Sequence, residues 1–260
     1  MIDRKVVFIT GASSGIGYET ALAFARRSYA VVVTARREDR LVALAQQIEA
    51  ITGSAQNILA IACDVQDRKA VEGAVDQTLS HWGRVDVLIA NAGVGHRGSL
   101  VDAEWSDLET VMRTNMDGVI HSIRAIVPAM RRNEGGHIVI ISSVTYNLTA
   151  PYAAMYAATK AFVSSIAHSL RLELKKDRIY VTDMVVGRTE SEFNKKRLGK
   201  AGRTGGGIPV MPTEKVARAI VDTIGKDRRS VTLRWLDRLT TLANVLVPDI
   251  VGRLALRQYK

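Results

Sequence analysis

The chain has 260 residues, 47% of them hydrophobic, and 36 Lys/Arg against 26 Asp/Glu give it a formal net charge of +10. That apolar content supports a large buried core and argues against disorder, and α/β folds of this length commonly stay undivided, so one domain over residues 1–260 is expected. A single cysteine excludes a disulfide framework, no run of 18 apolar residues suggests a membrane-spanning helix, and the five histidines share no metal-ligand spacing, so no metal is expected.

KVVFIT, residues 5–10, is a continuous apolar run suited to a buried parallel strand. It starts almost at Met1, which leaves no room for a secretory leader, and a cytoplasmic location is expected. GASSGIG follows at once, and then the helical pattern YETALAFARR. Gly11, Gly15 and Gly17, with Ser13, Ser14 and Ile16 among them, allow a tight turn and close backbone approach to a pyrophosphate, whose charge suits the free N–H groups of the helix start. A glycine-rich turn alone is often only a turn. Between a strand and a helix at the head of an α/β chain it points to dinucleotide binding.

The second strand, AVVVTA (30–35), ends in front of Arg36 and Arg37. An acidic residue there would accept from a ribose 2′-hydroxyl, whereas arginine pairs with a 2′-phosphate through a forked, charge-assisted contact. The sequence therefore favours NADP over NAD; the bland alternative is a pair of solvated arginines heading the helix REDRLVALAQQIEA. Strand-like runs continue with NILAIAC, RVDVLIA, GHIVIIS, IYVTDMVV and RSVTLRW, separated by helical patterns. This alternation predicts a Rossmann-type, doubly wound parallel sheet of about seven strands with helices on both faces. Cys63 reads as a small buried side chain in the third strand, and His96 as an exposed loop residue.

Tyr156 and Lys160, in YAAMYAATKAF, are four apart and so share one helix face. A free phenol has a pKa of about 10, and positive charge beside it favours ionisation and brings it toward working range. Alone, such a pair is more often a packed ring beside a solvated ammonium. Ser143, thirteen residues upstream of the tyrosine, and the glycine turn make it part of a hydride-transfer site.

With TGASSGIG (10–17), Asp64 followed by Val65 in CDV, NAG (Asn91, Ala92, Gly93), Asn115 in RTNMDG, and Ser143, Tyr156 and Lys160, the chain resembles the short-chain dehydrogenase/reductase family through about residue 235. The resemblance implies that Asp64 holds the adenine and that NAG supports the central strand. It further implies that Ser143 binds the substrate oxygen, Tyr156 donates its proton during reduction, and NADPH delivers hydride to the carbonyl carbon. Lys160 would hold the nicotinamide ribose and depress the tyrosine pKa, and Asn115, on a long helix over about 104–131, would anchor a proton relay to solvent. The family's Pro-Gly after the sixth strand is Val186-Gly187 here, and the resemblance implies that the Ser191 hydroxyl meets the nicotinamide carboxamide, with Thr189 contributing backbone contacts. The same resemblance implies a homo-oligomer built on the helices near 104–131 and 152–177.

Val94, Gly95, Val144, Tyr146, Leu148 and Tyr152 are expected on the substrate rim, apolar with phenolic hydroxyls, which suggests a hydrophobic ketone, aldehyde or alcohol. A 3-oxoacyl-thioester reductase is the enzymatic alternative and a non-enzymatic NADP-binding redox sensor the alternative of another class. The positive charge is unevenly placed, in residues 188–203 and 225–260. The first falls on an expected substrate lid (about 188–212) with a GRTGGGIP hinge, the second on a helical tail (about 236–260) interrupted by Pro248. The tail could contact a second subunit or the substrate, lie on an anionic membrane surface, or simply solubilise the chain. No nucleic-acid recognition module accompanies the basic segments, and no nucleic-acid partner is expected.

Overall fold

The computed structural model describes residues 4–190, 192–194, 196–200 and 210–259. Strands β1 (Val6–Thr10), β2 (Ala30–Ala35), β3 (Ile58–Ala62), β4 (Val87–Ala90), β5 (Gly136–Ser143), β6 (Ile179–Val186) and β7 (Ser230–Thr232) form one sheet, ordered β3-β2-β1-β4-β5-β6-β7. Every pairing is parallel. The seven apolar runs of the sequence thus become the seven strands of a Rossmann-like α/β fold.

Strands β1, β2 and β4 are buried along their whole length, as a sheet covered on both faces requires. Alternation along each strand divides them between two cores. Val6, Phe8, Val32 and Ile138 face α3 (Arg68–Trp82), α5 (Gly118–Arg132) and α6 (Ala154–Glu173). Val7, Ile9, Val31, Val33 and Val139 face α1 (Gly15–Ala25), α2 (Glu38–Thr52) and α7 (Thr213–Thr223). Burial of a side chain such as Phe8 stabilises by about 1.5–3 kcal/mol, so each face adds up to a large term from many ordinary residues.

The sequence pattern predicts one long helix over about 104–131. The structure divides it: α4 (Trp105–Met112) and α5 are joined by a π-helical turn, Arg113–Asp117, that carries Asn115. Such turns insert a residue into the helical ladder and often lie at functional sites. At the other end, α8 (Trp235–Leu246) and α9 (Pro248–Leu256) form the tail, bent by 117° where Pro248 opens the second helix. Among the described residues no single helix is long and apolar enough to cross a membrane.

Chain order sets the position of the site. From β1 the chain moves outward to β2 and β3, then returns to β4 on the other side of β1. A crevice must therefore open at the carboxyl ends of β1 and β4.

Candidate active site

The cleft at those strand ends has a volume of about 1120 Å³, room for a dinucleotide and a substrate together, since a small-ligand pocket is ~300–1,000 Å³. Its near end is the glycine turn. Gly11 has φ of +67°, and a Cβ there would sit 2.7 Å from Ala92 Cα; at Gly17 a Cβ would fall 2.5 Å from Asn91 Nδ2. Asn91 explains both constraints, because its Nδ2 donates to the carbonyls of Thr10 (2.9 Å) and Gly11 (3.1 Å). The Thr10 hydroxyl accepts from the Asn91 and Ala92 amides at 3.0 and 3.1 Å. Asn91–Gly93 thus ties β4 to the turn after β1. Helix α1 begins with no side-chain cap and no acid in its first turn, so its amino end is left to an anion.

At the end of β2, Arg37 donates to the hydroxyls of Ser13 (2.8 Å) and Ser14 (2.9 Å) and reaches Glu192 at 3.2 Å. Arg40 and Lys196 bind the same Glu192 carboxylate at 2.8 and 2.9 Å. These hydrogen bonds, from Lys196 first, hold the carboxyl near a pKa of about 2. Arg36 is exposed, 3.9 Å from Asp64, and the Asp64 Oδ1 accepts from the Gln66 amide at 3.0 Å. Val65 lines the cleft beside Asp64. A dinucleotide fits these residues: the turn leaves no side chain in its path, and cationic groups lie at the end of β2.

Ser143 closes β5 and accepts from the Thr145 amide at 3.3 Å, capping the short turn Val144–Asn147. Tyr156 and Lys160 lie one turn apart on α6, with the ammonium 5.8 Å from the tyrosine ring centre. Lys160 Nζ donates to the Ile141 carbonyl at 2.8 Å. Asn115 uses both ends of its amide: Oδ1 accepts from the Val94 amide (2.8 Å), while Nδ2 donates to the Val94 carbonyl (2.9 Å) and to Thr159 Oγ1 (3.0 Å). It therefore fixes the loop after β4 against α6, beyond the relay role that the resemblance implies.

Electrostatically the pair differs from the expectation that Lys160 depresses the tyrosine. Desolvation pushes Tyr156 up to about 12, with the Ser143 hydroxyl pulling the other way, and pushes Lys160 down to about 8 against the attraction of Asp183. Burial wins because the ammonium is turned to a backbone carbonyl. At neutral pH the phenol keeps its proton.

The rim needs two corrections. Val94, Gly95, Val144 and Leu148 line the cleft, but Tyr146 and Tyr152 do not. Tyr152, at φ of +56°, packs its ring against Tyr259, tilted by 42° with ring centres 5.1 Å apart. In the phenols' place stands Phe193, 5.7 Å from the Tyr156 ring. His96 is buried rather than exposed, because its backbone bridges to Leu198 and Arg97 N donates to the Leu198 carbonyl at 2.9 Å. Gly187 and Thr189 line the cleft. Ser191 and residues 201–209, which include the whole expected GRTGGGIP hinge, lie outside the described residues.

Sequence reasoning missed Glu192, Arg40, Thr159 and the ion pair Arg234–Asp237 (2.7 Å). A Cβ on Gly187 would collide with that pair, so a bare backbone there is what lets the tail approach the site. No local motif marks these residues: Glu192 reaches Arg37 and Arg40, and Thr159 reaches Asn115, through tertiary contacts, while Arg234 and Asp237 pair locally and only the fold carries them to the cleft.

A family model described as short chain dehydrogenase matches residues 5–201. The chain belongs to the short-chain dehydrogenase/reductase family. Dehydrogenase/reductase SDR family member 7B of Bos taurus is 31% identical over 264 residues, covering 97% of this chain and 81% of the relative. 11-beta-hydroxysteroid dehydrogenase 1A of Arabidopsis thaliana is 32% identical over 259 residues, covering 95% and 73%. Among solved structures, an alcohol dehydrogenase from the archaeon Thermococcus sibiricus complexed with 5-hydroxy-NADP superposes with a TM-score of 0.78 at 27% identity, covering 89% of this chain and 97% of that one. As a member of this family the chain is an oxidoreductase of the carbonyl/alcohol couple that uses a nicotinamide dinucleotide.

Proposed function

We propose that this short-chain dehydrogenase/reductase uses NADP(H) to interconvert a carbonyl and an alcohol on a hydrophobic small molecule. The carrying observation is Arg37, whose guanidinium bonds both serines of the glycine turn with Arg36 and Arg40 alongside, a cationic corner that suits a 2′-phosphate. Val94, Val144, Leu148, Phe193 and Val251 on the cleft wall support an apolar substrate.

A bound nicotinamide supplies hydride chemistry at the carbonyl carbon. The chain's own groups handle the oxygen: Ser143 orients it, and Tyr156, protonated at neutral pH, donates to it. Lys160 offers an ammonium to the nicotinamide ribose, and Asn115 links the site toward solvent. In oxidation Tyr156 takes the proton back.

Arg188, Lys196 and Arg197 also line the cleft and favour, as a second reading, an acidic substrate such as a 3-oxoacyl thioester on a carrier or coenzyme. We infer further a homo-oligomer built on α4–α5 and α6, and a cytoplasmic location.

The test is cofactor oxidation by purified protein against apolar ketones, aldehydes, steroids and 3-oxoacyl thioesters. NADPH should outperform NADH, and Tyr156→Phe should cut turnover by about 10²–10⁴-fold while NADPH binding persists. Better activity with NADH would sink the reading of Arg37. Binding without turnover across the whole panel would favour a redox sensor. Light scattering of the same preparation should give at least a dimer; a monomer at micromolar concentration would count against the oligomer.

A further inference from the structure

Helix α8 is amphipathic in the wrong sense for a water-facing helix. Its inward residues are polar: Asp237 is buried, Thr240 and Asn244 are half-buried, and Asn244 Oδ1 accepts from the Thr149 amide at 2.9 Å. Its outward stripe is Trp235, Leu239, Leu242 and Leu246, exposed by 72%, 50%, 55% and 71%. These positions follow helical spacing, so one face of α8 is continuously apolar and open. Helix α9 extends it with Ile250 and Leu254, while Val245 and Val247 fill the corner. A patch of this kind, on two consecutive helices, is the mark of an interaction surface.

Two observations identify the partner. The first is charge. Arg238, Arg253 and Arg257 are exposed among these residues and Asp249 is the exposed acid, on a chain of net charge +10. An apolar stripe flanked by arginines matches the interface of an anionic bilayer, where side chains enter the acyl boundary and guanidinium groups meet the headgroups. The 117° bend rules out a straight crossing by the pair, but suits helices lying in the surface plane.

The second is continuity with the cleft. The inner sides of the same helices supply Asp237, Thr240, Val251 and Ala255 to the cleft wall, and the turn after α9 adds Tyr259. The hairpin is locked there: Gly252 lies so close to Thr149 that a Cβ would fall 2.8 Å from its Cγ2, and the Tyr259 ring packs against Tyr152. A bilayer touching the outer stripe would therefore lie beside the mouth of the cleft.

We propose that α8 and α9 form a peripheral docking surface for anionic membranes, which places the cleft mouth at the lipid boundary so that a membrane-dissolved substrate reaches it without crossing water. The docking stands independently of the activity; only the nature of the arriving molecule rests on the proposed apolar substrate.

The experiment is co-sedimentation of the full chain with vesicles of phosphatidylcholine, with and without about one third phosphatidylglycerol. At low salt the protein should pellet with the anionic vesicles, and raised salt should weaken the binding. Leu239→Asp with Leu242→Asp should reduce binding by roughly tenfold or more, and Arg253→Glu with Arg257→Glu should remove the preference for anionic lipid. Circular dichroism and NADPH binding confirm that each exposed-site variant is folded, and the binding readout is unaffected by any failure of the substrate reading. Trp235 emission should shift to the blue on vesicles, a shift lost in Trp235→Phe while pelleting continues. Wild-type protein left in the supernatant, or variants that pellet as it does, would overturn the proposal. So would Leu239→Asp with Leu242→Asp converting a dimer to a monomer with no vesicle binding, which would make this face a contact between copies of the chain.

Discussion

A buried lysine at the center of the site makes pH an informative variable. Lys160 falls to about 8 through desolvation, so its ammonium is lost as pH rises through that value. Ketone reduction should be level below about pH 8 and decline above it, because the ribose contact and the local positive charge disappear together. Stability moves the other way. The ordinary lysine value is 10.5, so between about 8 and 10.5 the unfolded chain binds more protons, and this group's contribution to stability rises with pH. The burial cost relieved across that window is about 3 kcal/mol. Tyr156 opposes it only above pH 10, since its pKa lies at about 12. Activity falling from pH 7 to 9 while the thermal midpoint holds or rises is the expected signature, read from a pH–rate profile beside thermal melts. A decline that tracks loss of fold would refute the assignment to Lys160.

Between elements, the contact that most affects cofactor choice joins Glu192, in the segment after β6, to Arg37 and Arg40 at the head of α2. The Glu192 carboxylate occupies a cationic corner suited to a phosphate, so the two anions compete for the same donors. Glu192→Gln keeps the size of the side chain and removes the charge. It should tighten binding of NADP⁺ and 2′,5′-ADP severalfold and leave NAD⁺ nearly unchanged, as titration calorimetry would register. Equal effects on both cofactors would mean that Glu192 does not compete with the 2′-phosphate. This contact also marks the limit of what the sequence revealed. Strands were legible because a two-sided parallel sheet demands unbroken apolar runs, and the meeting of Ser143, Tyr156 and Lys160 at one cleft because their spacing is local, spanning one strand end and one helix turn. Glu192 meets Arg37 across 155 residues, and the turn of Tyr152 toward Tyr259 depends on a backbone at positive φ, neither of which a linear pattern encodes. The π-turn at Asn115 escaped for a related reason, since its residues have ordinary helical propensity and the extra residue is imposed by the amide's bonds to Val94.

At the scale of the molecule, β5, β6 and the approach to β7 are held together by polar groups within the apolar sheet. Asp183 on β6 accepts from Ser164 at 2.6 Å and from Ser142, joining α6 and β5. At the preceding residue of β6, Thr182 bonds His137 Nε2 of β5 at 3.0 Å, and His137 Nδ1 accepts from the Gly225 amide at 3.1 Å. That amide bond fixes the neutral tautomer with its proton on Nε2. Burial lowers His137 from 6.5 to about 4, against the pull of Asp227, and His168 is lowered as well. The sign follows: between those values the unfolded chain binds the extra proton, so the stabilisation is complete above pH 6.5 and is lost as pH falls toward 4. For His137 the loss is about 3 kcal/mol, a sizeable share of a domain's ~5–15 kcal/mol. Urea titrations of the wild type should show the midpoint falling steeply from pH 6.5 to 4.5. His137→Gln, which can retain both hydrogen bonds but cannot titrate, should be less stable at pH 7 yet flatter across that range. An equally steep slope in the variant would move the acid sensitivity to other groups and leave His137 as a packing residue.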